Sequence, residues 1–330
     1  MSFEPENLHR EGKLDEVVDS AGTSSVPPVD SLATDESTGY VKGTSLSRDA
    51  WRRLRKNKLA LLGLVVVGGI ILTALAGPKI WQLWKGYTYD FIPSDRSLVR
   101  AMAPSWQHPM GTDPQGRDVL ARVMVGGQIS LMVALVSTAV SLFIGVSYGA
   151  IAGYLGGRVD NVMMRFVDLL YGVPLIIFVI VMLALFNKSL VLLFATIGAV
   201  SWLTMARIVR GQVLSLKNLE FVEAAKSIGV STPKIIFRHL VPNTLGPVIV
   251  YATLTIPTVI LQEAFLSFLG LGVQAPLSSW GTLASEGADN IAIYPWMIIF
   301  PGMVMALMLF SLNFVGDGLR DALDPHMRKE

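Results

Sequence analysis

Two short patterns in the sequence could carry chemistry, and neither has the surroundings that its chemistry requires. The run GVSYG matches the G-x-S-x-G turn of hydrolases, in which the serine, here Ser147, acts as the nucleophile. That turn joins a strand to a helix and needs a histidine partner, whereas Ser147 lies in a long apolar stretch. Gly111 and Gly116 have the spacing of a phosphate-binding loop, but Arg117 and Asp118 replace the required Lys and Ser or Thr. We expect no catalytic residue and no nucleotide site in this chain.

Metal and thiol chemistry are equally unsupported by the sequence. The chain has 330 residues and no cysteine, which excludes thiolate zinc sites, iron–sulfur clusters, disulfides and cysteine nucleophiles. The four histidines are too scattered to predict a ligand set: His9, His108, His239 and His326. We therefore expect no metal and no cofactor bound by this chain.

The composition is typical of a membrane protein. Hydrophobic residues make up 52% of the chain and charged residues 16%, with a mean hydropathy of +0.52. Soluble domains carry roughly 25% charged residues, so a simple soluble protein is excluded. The net charge of +2 is close to neutral and gives no argument for a nucleic-acid partner.

Six apolar stretches are long enough to cross a bilayer, which takes about 20 residues. They lie at 59–77, between residues 122 and 158, at 169–187, at 189–206, at about 244–262 and at about 296–315. The third is the weakest, because Pro174 stands near its start, and it could instead be a re-entrant segment. With six spans, 20 of the 27 Lys and Arg residues fall on the cytoplasmic side, whereas without the third span only 12 do.

The predicted fold is therefore all-α, with six transmembrane helices and both termini in the cytoplasm. Residues 1–47 are rich in Ser, Thr, Asp, Glu and Pro and predict a disordered cytoplasmic tail. The first transmembrane helix and an outer loop follow at 48–126. Residues 127–320 form a five-helix core, and 321–330 form a cytoplasmic C-terminal tail.

The predicted spans contain no ionisable residue near their centres. Glu263, at the outer edge of the fifth span, comes nearest. A secondary carrier with a proton relay is disfavoured, because such carriers place ionisable groups inside the membrane. Sodium coupling through backbone carbonyls stays open.

Four glycines recur at every fourth position along the second span: Gly145, Gly149, Gly153 and Gly157. That spacing places them on one helix face, where a second helix can approach closely. We predict that this stripe serves helix packing.

The loop at 216–243, between the fourth and fifth spans, predicts two short helices. The first covers 220–227 and ends at Gly229 in a left-handed turn, and the second begins at Thr232 as N-cap with Pro233 behind it. Ile235, Ile236 and Leu240 give the second helix an apolar side, and Lys226, Lys234 and Arg238 keep the loop basic. We expect this apolar and basic helical hairpin to dock into a groove on a soluble partner.

Five residues of this loop resemble the EAA loop of ABC-importer permeases, the coupling element that docks on the ATPase: Glu223, Ala224, Ala225, Gly229 and Pro242. Four further segments resemble the C-type permease of dipeptide, oligopeptide and nickel importers: 108–131, 156–174, 266–281 and 316–325. The resemblance covers about 45–325 and implies a type I permease fold in a bacterial or archaeal plasma membrane.

The resemblance also implies the partners: membrane lipid, a homologous second permease, two ATPase subunits that bind ATP and an extracytoplasmic solute-binding protein. It implies that the chain forms half of a translocation pathway and is no enzyme itself. A stand-alone secondary carrier or channel is the alternative, and a signalling or structural subunit is a third. The solute could be a dipeptide, an oligopeptide, a nickel chelate or a sugar.

The outer-loop motif leaves two interpretations open. Asp113 with Arg117, and Asp118 with Arg122, are four residues apart and could pair to fix the start of the second span. The same residues could instead contact a ligand.

Overall fold

The computed structural model describes residues 46–95, 99–186 and 189–323. The predicted N-terminal tail up to residue 45, and residues 324–330 of the predicted C-terminal tail, lie outside this range. Regular structure in the described part is helical: α1 (Leu46–Leu54), α2 (Lys58–Lys85), α3 (Val119–Leu155), α4 (Gly157–Tyr171), α5 (Leu175–Leu185), α6 (Leu190–Leu216), α7 (Glu220–Ser227), α8 (Thr232–Lys234), a π-helical turn (Ile235–Leu240), α9 (Val241–Phe268), α10 (Trp280–Asp289) and α11 (Trp296–Leu323).

Five helices are long and apolar enough to cross a membrane, and they confirm five of the six predicted spans. They are α2, α3, α6, α11 and the continuous helix Thr232–Phe268, which joins α8, the π turn and α9. Most extend beyond the predicted apolar stretch at one or both ends, and side chains cap the starts of α2, α3 and α6. Asp118 caps α3 by accepting a hydrogen bond from the backbone N–H of Ala121.

The third predicted span is two helices and not one. Helices α4 and α5 meet at a bend of 82°. The described part of the chain has six membrane spans only if this bent pair crosses the membrane as one broken span. The break falls at Gly172–Pro174. Pro174 has no N–H to give to a helix and disfavours helical backbone in the residue before it, so the chain leaves α4 here and starts again at α5.

The close packing of α3 against α6 depends on three of the four predicted stripe glycines. A Cβ added to Gly145 would lie 2.7 Å from Cβ of Met205, and one on Gly153 would lie 2.9 Å from the carbonyl oxygen of Arg210. A Cβ on Gly149 would collide with the carbonyl oxygen of Ala206. The backbones of the two helices are therefore in direct contact along this face.

Gly157 does not belong to this packing face, which corrects the prediction. It is the first residue of α4, has φ +56°, and has open space where a Cβ would be. The regular four-residue spacing does not continue in space, because α3 ends at Leu155 and the chain turns at Gly156. Gly157 supplies a turn and no helix contact.

Helix α4 is held to α6 by two ion pairs. Asp160 receives two hydrogen bonds from the guanidinium of Arg210, at 2.5 and 2.6 Å, and Asp168 receives one from Arg207 at 2.7 Å. Arg210 and Asp160 form a bidentate pair, the strongest geometry for these groups. The pairs fix α4 beside one end of α6.

The segment before α3 is fastened by a cluster around Arg122, which is 3% exposed. The Arg122 guanidinium donates to Asp113 at 2.9 Å and forms two hydrogen bonds with Glu286 of α10, at 2.6 and 3.0 Å. Asp113 also accepts from Arg117 at 2.6 Å, as predicted. We call Asp113, Arg117, Arg122 and Glu286 the Arg122 cluster.

The second predicted pair, Asp118 with Arg122, does not form. Asp118 instead lies 2.7 Å from Nδ1 of His108, and its other oxygen caps α3. Arg122 turns away toward Glu286, which is 164 residues distant in sequence. A local spacing rule could not have identified that partner.

Helix α10 packs onto α3 and α9 through a buried polar group. Glu263 of α9 is fully buried and accepts hydrogen bonds from Ser130 at 3.2 Å and from Ser267 at 2.6 Å. Ser130 in turn accepts from the backbone N–H of Trp280, whose indole N–H donates to the carbonyl of Val123. One carboxyl group thus ties three helices together.

We predict opposite effects of two glycine-to-alanine changes. Gly149→Ala forces α3 away from α6 and is expected to lower stability by about 1–3 kcal/mol, the usual cost of overpacking. Gly211→Ala, on α6 with open space around it, is expected to be neutral or to raise stability by up to about 1 kcal/mol, because alanine favours helix. The melting temperatures of the two purified variants in detergent test this, and a similar shift in both would contradict the packing role.

A second prediction concerns the Arg122 cluster. Arg122→Met removes one of the two arginine partners of buried Asp113 and the forked contact to half-exposed Glu286, while Arg117 stays beside both. It is expected to lower stability by roughly 1–3 kcal/mol, because buried hydrogen-bonding groups lose a partner. Arg122→Lys should restore little, since an ammonium cannot make the forked contact. Arg100→Met, at an exposed position, is the control. Equal melting temperatures for Arg122→Met and the control would show that the cluster does not hold the segment.

Candidate functional site

The α6–α9 loop, residues 216–243, packs its inner apolar side chains against the core of the protein. Val222 and Ala225 of α7 are buried together with Ile235, Ile236 and Leu240 of the π turn. The five side chains form one cluster with residues of α3 and α6. The apolar side predicted for the second helix, from Ile235, Ile236 and Leu240, therefore faces the protein's own core.

The turn after α7 is set by Gly229, in the left-handed conformation that the sequence predicts. Its φ is +76°, its N–H donates to the carbonyl of Lys226, and the next N–H, of Val230, donates to the carbonyl of Ala225, both at 3.0 Å. These two bonds are those of a Schellman motif. No atom lies within 4 Å of a Cβ added here, so glycine is required by backbone conformation and not by space.

The start of the next helix differs from the prediction by one residue. Ser231 stands at the N-cap of α8, so Thr232 is its first residue and Pro233 its second. Pro242 is the second residue of α9 and is exposed. It does not separate the loop from the span, because the helix runs unbroken from Thr232 to Phe268.

The outward side of the loop carries exposed apolar side chains beside an acidic one. Ile228 is 80% exposed, and Glu223 and Ala224 are exposed on the preceding turn, while Ala225 is turned inward. Apolar groups exposed together outside the spans mark a contact surface for another protein. We call these residues the exposed loop face: Leu219, Phe221, Glu223, Ala224, Ile228 and Phe237.

Sequence reasoning missed the apolar part of this face. Periodicity identifies which side of a helix is apolar, and in this loop the periodic side is the buried one. Ile228 lies at the C-cap of α7, between the two helices, where periodicity gives no signal. The sequence offered one indication that this side chain is exposed. Ile228 directly precedes the predicted left-handed glycine and belongs to neither helix.

A cavity of about 410 Å³ lies between α6, α9 and the junction of α4 with α5. Tyr171, Val173 and Pro174 form its wall at the junction. The other polar residues of its lining come from α6 and α9: Ser201, Thr204, Tyr251, Thr255, Thr258 and Gln262.

The α9 wall of the cavity is a polar stripe along one helix face. Tyr251, Thr255, Thr258 and Gln262 are spaced by four, three and four residues, which brings them onto one side of a helix. We call these four residues the α9 stripe. The spacing of these polar residues is visible in the sequence, inside the predicted fifth span. The sequence analysis considered only ionisable residues in the spans and therefore missed it.

The arrangement offers no catalytic or metal chemistry within the described residues. No group of three or more His, Asp or Glu side chains lies close enough to hold a metal ion there. Ser147 is an ordinary residue in the middle of α3. What the described part does contain is a fixed loop with exposed apolar side chains and a cavity lined by apolar and neutral polar residues.

Comparisons with known proteins agree with the predicted family. A family model described as binding-protein-dependent transport system inner membrane component matches residues 145–329, and one described as the N-terminal transmembrane domain of oligopeptide transport permease C matches residues 45–104. The oligopeptide transport system permease protein OppC of Haemophilus influenzae is 48% identical over 290 residues, covering 87% of this chain and 91% of its own length.

A second relative is the dipeptide transport system permease protein DppC of Bacillus subtilis, 44% identical over 298 residues and covering 88% of this chain and 89% of its own. A solved structure of the MetNI methionine ABC transporter in an inward-facing conformation has a TM-score of 0.47 and 18% identity, over 62% of this chain and 96% of that one. By its family models and by its identity to permeases over most of both chains, the chain belongs to the binding-protein-dependent transport system inner membrane components, as a permease of the oligopeptide C type.

Proposed function

We propose that this chain is the C-type permease of an ATP-driven peptide importer and forms half of its translocation pathway. The relatives named for oligopeptide and dipeptide transport support peptides as the solute. The proposed partners are a homologous second permease, two ATPase subunits and an extracytoplasmic binding protein. The chain itself has no Walker-type G-x-x-x-x-G-K-[ST] sequence, so ATP is bound by the ATPase subunits.

One observation carries the proposal: a single helix connects the exposed loop face to the cavity. The helix Thr232–Phe268 begins in the loop and carries the α9 stripe. From Leu240 to Tyr251 is about 16 Å at 1.5 Å per residue. A displacement of the loop therefore reaches the cavity wall through one unbroken helix, in which Pro242 and Pro247 are the residues without an N–H over this distance.

The other cavity wall is connected to the same loop. Helix α6 supplies Ser201 and Thr204 to the cavity and ends at Leu216, where the loop begins. Val209 and Val213 of α6 belong to the apolar cluster beneath α7. In the proposed mechanism, ATP binding closes the ATPase subunits, these press on the exposed loop face, and α6 and α9 move together.

The loop residues have separate proposed roles. Glu223 and Ala224 contact the ATPase, Ala225 anchors α7 from beneath, and Gly229 sets the angle between α7 and the helix that follows. Pro242, exposed on the second residue of α9, belongs to the same surface. Ile228 supplies the largest apolar contact, since it is the most exposed of the loop's large side chains.

A stand-alone carrier or channel remains the competing function. A carrier has no use for a fixed loop that presents apolar side chains outside the membrane spans. It would also work without other subunits, whereas the importer permease should bring its ATPase through purification. Co-purification of an ATPase therefore distinguishes the importer permease from a stand-alone carrier.

Coupling is expected to fail when the loop is altered. Gly229→Val opposes the left-handed turn by about 1–2 kcal/mol, Glu223→Lys reverses a surface charge, and Ile228→Asp removes an apolar contact. Each variant should insert into the membrane normally, and its complex should lose the ATPase or hydrolyse ATP without uptake. Co-purification, ATPase rate and peptide uptake are the measurements.

Two controls separate docking from folding. Gly229→Asn keeps the turn, because asparagine tolerates the left-handed conformation, and should transport normally. Ile293→Asp, at an exposed isoleucine away from the loop, should also transport normally. Normal uptake by Gly229→Val, Glu223→Lys and Ile228→Asp together would reject the loop as the ATPase contact.

The proposed topology places the α6–α9 loop in the cytoplasm and residues 78–118 outside. Because the chain lacks cysteine, Ser94→Cys and Ser231→Cys, both at exposed positions, introduce single thiols. In intact cells, a membrane-impermeant maleimide should label the first and not the second. Labelling of Ser231→Cys with protection of Ser94→Cys would show the opposite orientation.

A further inference from the structure

The cavity between α6 and α9 is lined by apolar and neutral polar side chains, and no charged residue of the described part of the chain belongs to its lining. Its lining contains hydroxyl groups and one carboxamide, and no Asp, Glu, Lys, Arg or His. The nearest charged group along α6, Arg207, lies one turn from Thr204 and is already paired with Asp168 at 2.7 Å. The same guanidinium lies 4.3 Å from the ring centre of Tyr171, which belongs to the wall at the α4–α5 junction. The lining itself therefore offers hydrogen bonds and no charged group of its own.

Several of these polar groups have no partner within the described part of the chain. The side chains of Thr204, Tyr251 and Gln262 make no hydrogen bond there, although each can both donate and accept. Thr255 and Thr258 donate to the carbonyls of Tyr251 and Leu254, at 2.7 and 3.1 Å, which leaves their oxygen lone pairs free to accept.

These groups do not suit contact with lipid. Polar side chains that face hydrocarbon lose the hydrogen bonds they make in water, so helices in membranes direct such groups toward partners or toward a polar cavity. Four residues of the α9 stripe share one face, and two residues of α6 stand across from it. The pattern is that of a wall along which a polar solute moves.

We infer that this wall recognises the peptide main chain and is indifferent to the charge of the peptide side chains. Hydroxyl oxygens and the carboxamide oxygen accept from peptide N–H groups, and the carboxamide N–H and free hydroxyls donate to peptide carbonyls. Every peptide presents those groups whatever its sequence. A fixed charge in the same place would repel peptides of like charge and retain those of opposite charge.

This inference rests on the proposed function, because it takes a peptide as the solute. It adds that charge selectivity of the importer does not arise at this cavity. The residues assigned to main-chain recognition are Thr204, Tyr251, Thr255, Thr258 and Gln262.

The test is uptake by the complete importer reconstituted in proteoliposomes at zero membrane potential, with saturating binding protein. Three tripeptides are compared: Ala-Ala-Ala, Ala-Lys-Ala and Ala-Glu-Ala. For the native importer the three rates should agree within about threefold. Gln262→Glu introduces a carboxylate of nearly the same shape and should lower the rate for Ala-Glu-Ala relative to Ala-Lys-Ala by about tenfold. Gln82→Glu makes the same chemical change at an exposed position of α2 and should leave the ratio unchanged.

A threonine pair tests the hydrogen bonds themselves. Thr258→Val removes a hydroxyl from the cavity and should slow all three peptides by a similar factor. Thr253 is the control, because its hydroxyl also donates to its own helix, at 2.9 Å, but lies outside the cavity lining. Thr253→Val should leave the uptake of all three peptides unchanged. If Gln262→Glu does not assemble, Thr204→Asp on the facing wall has the same expected charge effect.

The inference and the proposed function fail in different ways. Uptake that is ATP-dependent but has an unchanged Lys-to-Glu ratio in Gln262→Glu or Thr204→Asp would overturn the inference alone. Absence of uptake of all three peptides by the native importer would overturn the proposed function, and the inference with it.

Discussion

Hydrocarbon offers no hydrogen-bond partner to a polar group, and this constraint explains the placement of the polar residues in this chain. Glu263 lies within α9 and is fully buried, where Ser130 and Ser267 donate to its oxygens. Arg207 and Arg210, which pair α6 with α4, lie beyond the apolar stretch of α6 that ends at residue 206. Tyr251 and Gln262, whose side chains make no hydrogen bond among the described residues, lie on one face of α9 and line the cavity. The same physical rule therefore accounts both for the buried contacts and for the polar side of the cavity.

Rigidity and movement are divided between different contacts. Close contact of α6 with Gly145, Gly149 and Gly153 joins it tightly to α3. Apolar packing fixes the inner side of the α6–α9 loop, so a force on its exposed face is not absorbed in the loop. In the proposed mechanism, that force is passed to α6 and α9, which carry the walls of the cavity. A flexible loop of the same sequence length could not do this.

The sequence predicted the features that depend on local chemistry. Hydropathy located five spanning helices, and glycine at 229 located the left-handed turn, because both follow from a few neighbouring residues. The partner of Arg122 could not be predicted, since Glu286 is far away in sequence and only tertiary folding brings it near. The spacing of the glycines did not show that Gly157 lies outside the packing face, because it does not reveal that α3 ends at Leu155. The α9 stripe was predictable from its 4-3-4 spacing, whereas the exposure of Ile228 depended on which side of the loop the core occupies.

The absence of charge from the cavity wall has an electrical consequence. A group that carries one elementary charge across the full membrane gains or loses about 2.3 kcal/mol per 100 mV. Rearrangement of α6 and α9 moves no fixed charge of the cavity lining through the field, although α6 also carries Arg207 and Arg210 beyond that lining. Under the inference that a peptide moves along this wall, the lining adds no voltage dependence of its own, whereas the charge of the peptide does. In a cell with a negative interior, a cationic peptide is then drawn inward along this wall and an anionic one is held back.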